Sequence, residues 1–280
     1  MTLSLRSTVT LNNGVQMPVL GLGTFQSKSG GETRQAVLWA LEAGYRHIDT
    51  AAAYGNEQDV GAAIGESGIP RQEIFITTKI WNADQGYEST LRAYDASCRR
   101  LGVEMVDLLL IHWPIRDRRA DTWRALVHLY QQGRVRAVGV SNYTITHLRE
   151  LLIDSPVVPA VNQYETSPFN TRQALADFCR EHGIQVESYS PLVRGRKLDD
   201  PALAEIAGRY GKTPAQVLIR WALEKGMVVI PKSVRRERII ENSAVFDFAL
   251  TPADMQRLDG LNENLHTIRP PWMTGEWDGS

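Results

Sequence analysis

The chain alternates between short apolar runs rich in β-branched residues and longer stretches in which apolar residues recur at helical spacing. Eight of the short runs predict β-strands. The last residues of these strands are Gly23, Asp49, Lys79, His112, Val140, Gln163, Tyr189 and Pro231. Most of the gaps between successive strand ends accommodate one strand, one helix and two loops. The pattern therefore predicts a strand and a helix repeated eight times.

Helical stretches fill the gaps, and several of them are followed by a glycine, which favours helix termination. The predicted helices include residues 32–43, 88–101, 121–132 and 172–182, and the last, longer gap has room for two more, around 201–210 and 214–224. A doubly wound sheet could also hold eight strands. The even spacing and the constant composition favour a closed (β/α)₈ barrel of the α/β class, with residues 1–280 as a single domain and extra helices near the C-terminus.

A β-hairpin is predicted ahead of the first barrel strand. Two short apolar runs, residues 9–11 and 15–17, flank Asn12-Asn13-Gly14, which is a turn signal. We expect this hairpin to lie outside the main sheet, as a plug or lid on one end of the barrel.

Composition narrows the classes of function. The 280 residues include 31 Lys and Arg against 32 Asp and Glu, so the formal net charge is −1, which argues against nucleic acid or an anionic membrane as the main partner. Hydrophobic residues make up 43%, enough for a packed core. The two cysteines, Cys98 and Cys179, lack metal-ligand spacing and lie in helix-like stretches. We expect buried or partly exposed thiols and no metal site.

The first residues lack the basic segment and long apolar stretch of a secretory leader, and no apolar run reaches about 18 residues. We expect a cytoplasmic protein. Because no apolar surface helix stands out, we also expect a monomer.

Polar residues end three neighbouring strands, where a barrel of this kind places its active site. Asp49, Lys79 and His112 end the second, third and fourth runs, and Tyr54 follows Asp49 by five residues. Each alone is ordinary: a strand-end Asp or Lys is usually solvated, and a lone His is usually a core residue. Together they form a proton-transfer set, in which Lys79, held by Asp49, favours the ionised form of Tyr54 and so lowers a pKa that is otherwise about 10.

The later strand ends are polar too, and they suit a large cofactor of mixed polarity. They are Ser141-Asn142, Asn162-Gln163, Tyr189-Ser190 and Lys232-Ser233. Amides and hydroxyls suit a neutral amide or a sugar, Tyr189 offers a flat face, and Lys232 with Ser233 suits phosphate. Three arginines, Arg235, Arg236 and Arg238, begin a predicted helix, where the helix dipole also favours an anion, although a solvated basic face is an equal alternative.

Motifs for other chemistries are missing from the sequence. Gln26 stands where a dinucleotide fingerprint starting at Gly21 needs its third glycine. There is no phosphate-binding loop ending in GK[ST], no HExxH and no GxSxG. The common nucleotide hydrolase, zinc protease and serine hydrolase classes are therefore disfavoured.

Nearly the whole chain resembles the aldo-keto reductase family. Four long segments carry the resemblance: GYRHIDTAAAYGNEQDVG at 44–61, TTKIWN at 77–82, LGVEMVDLLLIHWP at 101–114 and IPKSVRRERIIEN at 230–242. It implies a (β/α)₈ barrel that uses NADPH to reduce aldehydes or ketones. Tyr54 would be the general acid, Lys79 paired with Asp49 would lower its pKa, and His112 would orient the carbonyl oxygen.

The resemblance also implies the residues that bind the cofactor. Those matched to the nicotinamide are Ser141, Asn142, Gln163 and Tyr189, and Thr24 is matched to a backbone and ribose contact. Those matched to the pyrophosphate are Ser190 and Leu192, and those matched to the 2′-phosphate and adenine are Lys232, Ser233, Arg238, Glu241 and Asn242. The expected preference for NADPH over NADH depends mainly on Lys232 and Arg238, because a phosphate needs charge-assisted partners.

Departures from the family pattern concern the loops. Val193 replaces a glycine that is usual after YSPL, and the segment after Trp113 and the C-terminal tail are short. Short loops are similar to those of the bacterial branch that includes 2,5-diketo-gluconic acid reductases and methylglyoxal or aldehyde reductases, which implies an open substrate pocket. Phe25, Trp81, Trp113 and Trp272 are expected to form its walls.

The sequence leaves two other functions open. Barrels of this family also serve as cofactor-binding regulatory subunits with little turnover, but the complete set of Asp49, Tyr54, Lys79 and His112 favours an enzyme. An unrelated barrel that uses Lys79 for Schiff-base chemistry would need this lysine free of a carboxylate.

Overall fold

Eight parallel strands form the centre of the computed structural model, which describes residues 3–270. They are β3 (Leu22–Gly23), β4 (His47–Asp49), β5 (Phe75–Ile80), β6 (Val106–Ile111), β7 (Val135–Ser141), β8 (Val161–Glu165), β9 (Gln185–Tyr189) and β10 (Val228–Val229). Parallel bridges join Leu20 to Val229 and Gly23 to Lys232, so the first and last strands also pair. This pairing confirms the closed barrel and excludes the doubly wound sheet.

All eight predicted strands are present, with small shifts at their ends. β5 continues one residue past Lys79, β8 runs two residues past Gln163, and His112 directly follows β6. β10 is shorter than its apolar run, because the backbone around it pairs with the first strand through single bridges. In register, Gly23 lies beside Asp49 and Asp49 beside Thr77, so the polar ends of neighbouring strands meet at one end of the barrel.

Ten helices surround the barrel in the described part of the chain. They are α1 (Gly31–Glu42), α2 (Glu57–Glu66), α3 (Tyr87–Leu101), α4 (Arg119–Gln131), α5 (Ile145–Asp154), α6 (Gln173–Glu181), α7 (Pro201–Tyr210), α8 (Pro214–Glu224), α9 (Arg236–Ser243) and α10 (Pro252–Asp259). α3 ends at Gly102, whose φ of 66° is a left-handed conformation that glycine adopts without steric cost. The two helices predicted for the longest gap are α7 and α8, and α9 and α10 are extra helices after the last strand.

The N-terminal hairpin closes the opposite end of the barrel. β1 (Thr8–Thr10) and β2 (Gln16–Pro18) pair antiparallel. Leu11 and Met17 pack into the barrel among Phe75, Leu108 and Val228. The predicted plug is confirmed, because these side chains close the barrel at this end.

The main core lies between the strands and the surrounding helices. Cys98 and Cys179 are both free thiols buried there, as expected. Within residues 3–270, no helix has the length and apolar character needed to cross a membrane.

Candidate active site

Asp49 and Lys79 form a buried ion pair at the open end of the barrel. Lys79 Nζ donates to Asp49 Oδ1 at 2.6 Å, to Asp49 Oδ2 at 2.8 Å and to the Thr50 carbonyl at 2.9 Å. The side chain of Lys79 is 0% exposed and that of Asp49 is 3% exposed. The ammonium is thus fixed by three acceptors, and the Lys79 side chain is not free of a carboxylate, which removes the condition that Schiff-base chemistry requires.

Tyr54 and His112 lie directly above this pair. Tyr54 ends a short 3₁₀ turn, Ala52–Tyr54, after β4, and its ring centroid lies 5.2 Å from Lys79 Nζ. The ring of His112 meets the ring of Tyr54 edge-on at 5.7 Å. All four residues of the predicted proton-transfer set therefore come together at the ends of β4, β5 and β6.

The expected lowering of the Tyr54 pKa by Lys79 is wrong for this structure. Burial raises the pKa of Tyr54 well above 10, and the nearby carboxylates of Asp49 and Glu187 raise it further. Asp49 lies beside Lys79 and offsets part of its positive charge at the phenol, so burial decides the direction of the pKa shift. Tyr54 is consequently a neutral phenol across the physiological range of pH.

His112 is neutral as well. Burial lowers its pKa well below 6.5, and the ammonium of Lys79 lowers it further. Nδ1 is buried with no hydrogen-bond partner among the described residues. A bare acceptor is less costly here than an unpaired N–H, so we assign the proton of the neutral imidazole to Nε2.

One cavity of about 1040 Å³ runs from these residues across the end of the barrel to α9. It is lined by eleven of the twelve residues predicted to bind a cofactor: Ser141, Asn142, Gln163, Tyr189, Ser190, Leu192, Lys232, Ser233, Arg238, Glu241 and Asn242. Thr24 does not line the cavity, because it is 1% exposed and its hydroxyl donates to the Asp49 carbonyl at 3.0 Å.

Hydrogen bonds fix the polar groups on the floor of this cavity. Gln163 Nε2 donates to Asp49 Oδ2 and to Glu187 Oε2, each at 2.8 Å. Asn142 Nδ2 donates to the His112 carbonyl at 3.0 Å, and Asn142 Oδ1 accepts from the Tyr189 hydroxyl at 2.7 Å. These amides are therefore held in place by the same residues that surround the proton-transfer set.

The far end of the cavity is basic and exposed. Lys232, Arg235 and Arg238 line it near the start of α9. Within residues 3–270, none of these three side chains donates a hydrogen bond or forms an ion pair, whereas Arg236 on the same helix pairs with Glu42 at 3.2 Å. The three cations and the N-terminus of α9 make this end suitable for a phosphate group.

Aromatic residues wall the cavity beside Tyr54. Phe25 packs against Tyr54 with ring centroids 5.1 Å apart and is 39% exposed, and Trp81 packs edge-on against His112 at 5.0 Å. Trp113 also lines this region. Trp272, the fourth predicted wall residue, lies outside the described residues.

Val193, which stands where a glycine was expected, adopts a left-handed conformation with φ of 50°. A β-branched residue is strained there by about 1–2 kcal/mol. Its side chain is 1% exposed and packs into the main core, which offsets the strain. The loop thus retains a conformation typical of glycine without a glycine at this position.

The sequence pattern did not indicate three further residues of this region. Asn56 is fully buried and joins two loops, accepting from the Thr50 hydroxyl at 2.9 Å and donating to the Thr24 carbonyl at 3.0 Å.

Glu165 at the end of β8 accepts from the backbone N–H of Thr267, and so holds the segment that brings Ile268 to the cavity. Glu187 lies inside the barrel, and its position in β9 two residues before Tyr189 was a signal that both side chains point inward.

Comparisons with known proteins agree with this geometry. A sequence profile described as the Aldo/keto reductase family matches residues 19–263. The chain is 51% identical over 264 residues to a protein of Bacillus subtilis named glyoxal reductase, covering 94% of this chain and 96% of that protein.

Solved structures of aldo-keto reductases share the fold. One, from a Medee basin deep-sea metagenome library, superposes with a TM-score of 0.92 at 46% identity, covering 94% of this chain and 97% of that one. Another, from Bombyx mori and solved in complex with NADP, has a TM-score of 0.88 at 37% identity, covering 94% of both chains.

Proposed function

Since the chain belongs to the aldo/keto reductase family, we propose that it reduces aldehydes and ketones to alcohols with NADPH. The observation that carries the proposal is the buried pair of Lys79 and Asp49 beneath Tyr54 and His112, at the floor of a cavity that extends to a basic end. A site for proton transfer and a site for a phosphate are joined in one space, as a hydride-transferring cofactor requires.

The residues lining the cavity fit NADPH. Both amide hydrogens of Gln163 are directed at carboxylates, so its Oε1 remains an acceptor for an amide N–H, and Ser141 adds a hydroxyl. Lys232, Arg235 and Arg238 would hold the 2′-phosphate, for which they have no competing partner within residues 3–270. When bound, the dihydronicotinamide supplies the hydride.

Tyr54 supplies the proton in this mechanism. Its raised pKa keeps the hydroxyl protonated, so the donor is present at every physiological pH. The hydroxyl protonates the carbonyl oxygen of the substrate as negative charge develops there, and Lys79 next to its ring stabilises the charge that the phenol then acquires.

His112 orients the substrate. A neutral imidazole with its proton on Nε2 donates a hydrogen bond to the carbonyl oxygen without competing as an acid. Trp81 packs against this ring and fixes its plane. The carbonyl oxygen is thereby held between His112 and Tyr54.

We propose small aldehydes and ketones, dicarbonyls among them, as substrates. The name of the Bacillus subtilis relative points to glyoxal, and the exposed Phe25 leaves the wall beside Tyr54 open. Following NADPH absorbance with methylglyoxal, aromatic aldehydes, diketo sugar acids and ketosteroids would rank these classes.

Tyr54→Phe tests the mechanism. We expect kcat to fall about 100-fold or more, because the change removes only the proton donor, while NADPH still binds in a fluorescence titration. Tyr130→Phe, a matched change on α4, should leave both quantities unchanged. Retention of most of the rate in Tyr54→Phe would overturn the assignment, and NADPH binding without turnover in the wild type would favour a regulatory subunit.

A further inference from the structure

A second carboxylate, Glu187, lies inside the barrel below Tyr54, and the mechanism above does not use it. Glu187 is on β9 and is fully buried. It is joined to Asp49 by a single group, because Gln163 Nε2 donates one hydrogen bond to each carboxylate at 2.8 Å. Glu187, Gln163 and Asp49 thus form a continuous chain that ends at the ion pair with Lys79.

The two oxygens of Glu187 differ in their surroundings. Oε2 accepts the bond from Gln163, whereas Oε1 has no hydrogen-bond partner among the described residues. His47 Nε2 lies 3.6 Å from Oε1. The His47 ring is itself closely packed on its other side, because a Cβ added at Gly21 would lie 2.5 Å from His47 Nδ1. An ionised Glu187 would therefore keep a buried, unsatisfied oxygen, which is costly.

The charges around Glu187 do not balance if every acid is ionised. Facing it are Asp49 and His47 from β4, Lys79 from β5 and the Tyr54 phenol. Burial lowers the pKa of His47 to about 3, so this imidazole is neutral, and Lys79 remains as one cation against two carboxylates. Interiors disfavour such an uncompensated charge, so the pair of acids retains one proton.

That proton belongs on Glu187. Asp49 accepts two hydrogen bonds from the Lys79 ammonium, which favour its ionised form, whereas Glu187 accepts one from a neutral amide. Burial, with a further contribution from Asp49, raises the pKa of Glu187 to about 8. The geometry and the charge count therefore agree.

We propose that Glu187 is a positioning residue of the reductase, one that carries a proton in the working enzyme and acts on Tyr54 through the Gln163 and Asp49 chain. This rests on the proposed function of Tyr54. While Glu187 is protonated, Asp49 and Lys79 form a neutral pair. When it ionises, its negative charge makes Tyr54 a weaker acid and pulls the Gln163 amide toward itself.

The pH profile of kcat in wild type and in Glu187→Gln tests this proposal. Glutamine mimics the protonated form of Glu187 in shape and charge. Wild-type kcat should fall on the alkaline side with the ionisation of Glu187, losing about tenfold by roughly pH 9, and Glu187→Gln should lack this limb. A structural role alone would lower the rate by one factor at every pH. Glu66→Gln, a change in a surface carboxylate on α2, should keep the wild-type profile.

An alkaline limb that is unchanged in Glu187→Gln would overturn the proposal. A second measurement does not depend on activity. The infrared band of a protonated carboxyl should be present at neutral pH in the wild type and absent from Glu187→Gln. If Glu187→Gln does not fold, the same titration can be followed in protein that contains glutamate labelled with ¹³C at the carboxyl. Comparison of wild type with Glu165→Gln then separates the signal of Glu187 from that of Glu165. Absence of any titrating signal near pH 8 would again overturn the proposal.

The two proposals fail in different ways. If Tyr54→Phe keeps its rate, the assignment of the acid is lost, but the infrared titration still reports the proton on Glu187. If Tyr54→Phe is inactive and the infrared band is missing, the mechanism stands and the role of Glu187 is lost.

Discussion

The two ends of the cavity use charge in opposite ways. At the catalytic end, Lys79 and Asp49 are almost fully buried, and Lys79 Nζ has three acceptors within 2.9 Å. At the far end, Lys232, Arg235 and Arg238 are exposed. None of these three has a side-chain partner in the part of the chain that the structure describes.

The buried end is preorganised for catalysis, whereas the exposed end is suited to recognising a charged ligand. The buried pair is complete without a ligand, so desolvation and fixed geometry set the pKa values of Tyr54 and His112. The exposed cations do not stabilise one another, and their charges contribute favourable energy only when an anion binds between them. Changes at the two ends should therefore differ in their consequences for stability, pH dependence and cofactor affinity.

The largest effect is expected from removing the buried cation. Lys79→Met leaves Asp49 uncompensated in the interior and should lower the free energy of unfolding by about 3–5 kcal/mol, measured by urea denaturation at neutral pH. Lys212→Met is a matched control, because Lys212 pairs with the exposed Asp247 and should cost far less. Equal losses in the two variants would mean that burial does not distinguish these pairs.

The next effect concerns the pH dependence of stability. The pKa of Glu187 is about 8 in the folded protein and about 4.5 when unfolded, so the native state holds the extra proton between these values. Stability must then fall as pH rises through this window, by at most about 1.4 kcal/mol per pH unit.

Glu187→Gln should remove this contribution. Relative to wild type, the variant should gain roughly 2–4 kcal/mol between about pH 5 and pH 8, measured by urea unfolding at several pH values. Parallel stability curves for the two proteins would show that Glu187 titrates alike in the folded and unfolded states.

A smaller effect is expected at the exposed end. Arg238→Ala should weaken NADPH binding about tenfold and NADH binding little, because only NADPH carries the 2′-phosphate. Arg236→Ala is the control, since Arg236 lies on the same helix but pairs with Glu42 and does not line the cavity. Equal weakening of both cofactors in Arg238→Ala would remove this residue from the phosphate site.

Strand periodicity was sufficient to predict the barrel, the hairpin and the positions of Asp49, Lys79 and His112. The residue that ends an apolar run in a parallel strand must emerge at the same end of the barrel as its neighbours. Strand lengths were predicted less well: β10 keeps only Val228–Val229 as regular strand, because closure of the barrel is a contact between distant segments.

The sequence could not predict the sign of the pKa shift at Tyr54. That sign depends first on burial of the phenol in the folded barrel and then on the carboxylates of Asp49 and Glu187, the second of which comes from a strand far along the chain. Nor could it predict that Val193 keeps a φ of 50°, since the cost of that conformation is offset by packing that only the folded core provides.

The smallest predicted effect is a response to salt that should differ between the two ends. Raising the ionic strength from about 0.05 M to about 0.5 M should weaken NADPH binding several-fold, because exposed charges are screened over a few ångströms at high salt. The same change should alter kcat at saturating NADPH by less than about twofold, because Lys79 and Asp49 are shielded from solvent. NADH is the matched ligand, and its affinity should depend less on salt. If kcat fell in parallel with NADPH affinity, the catalytic end would be as open to ions as the phosphate end, and the contrast between them would be lost.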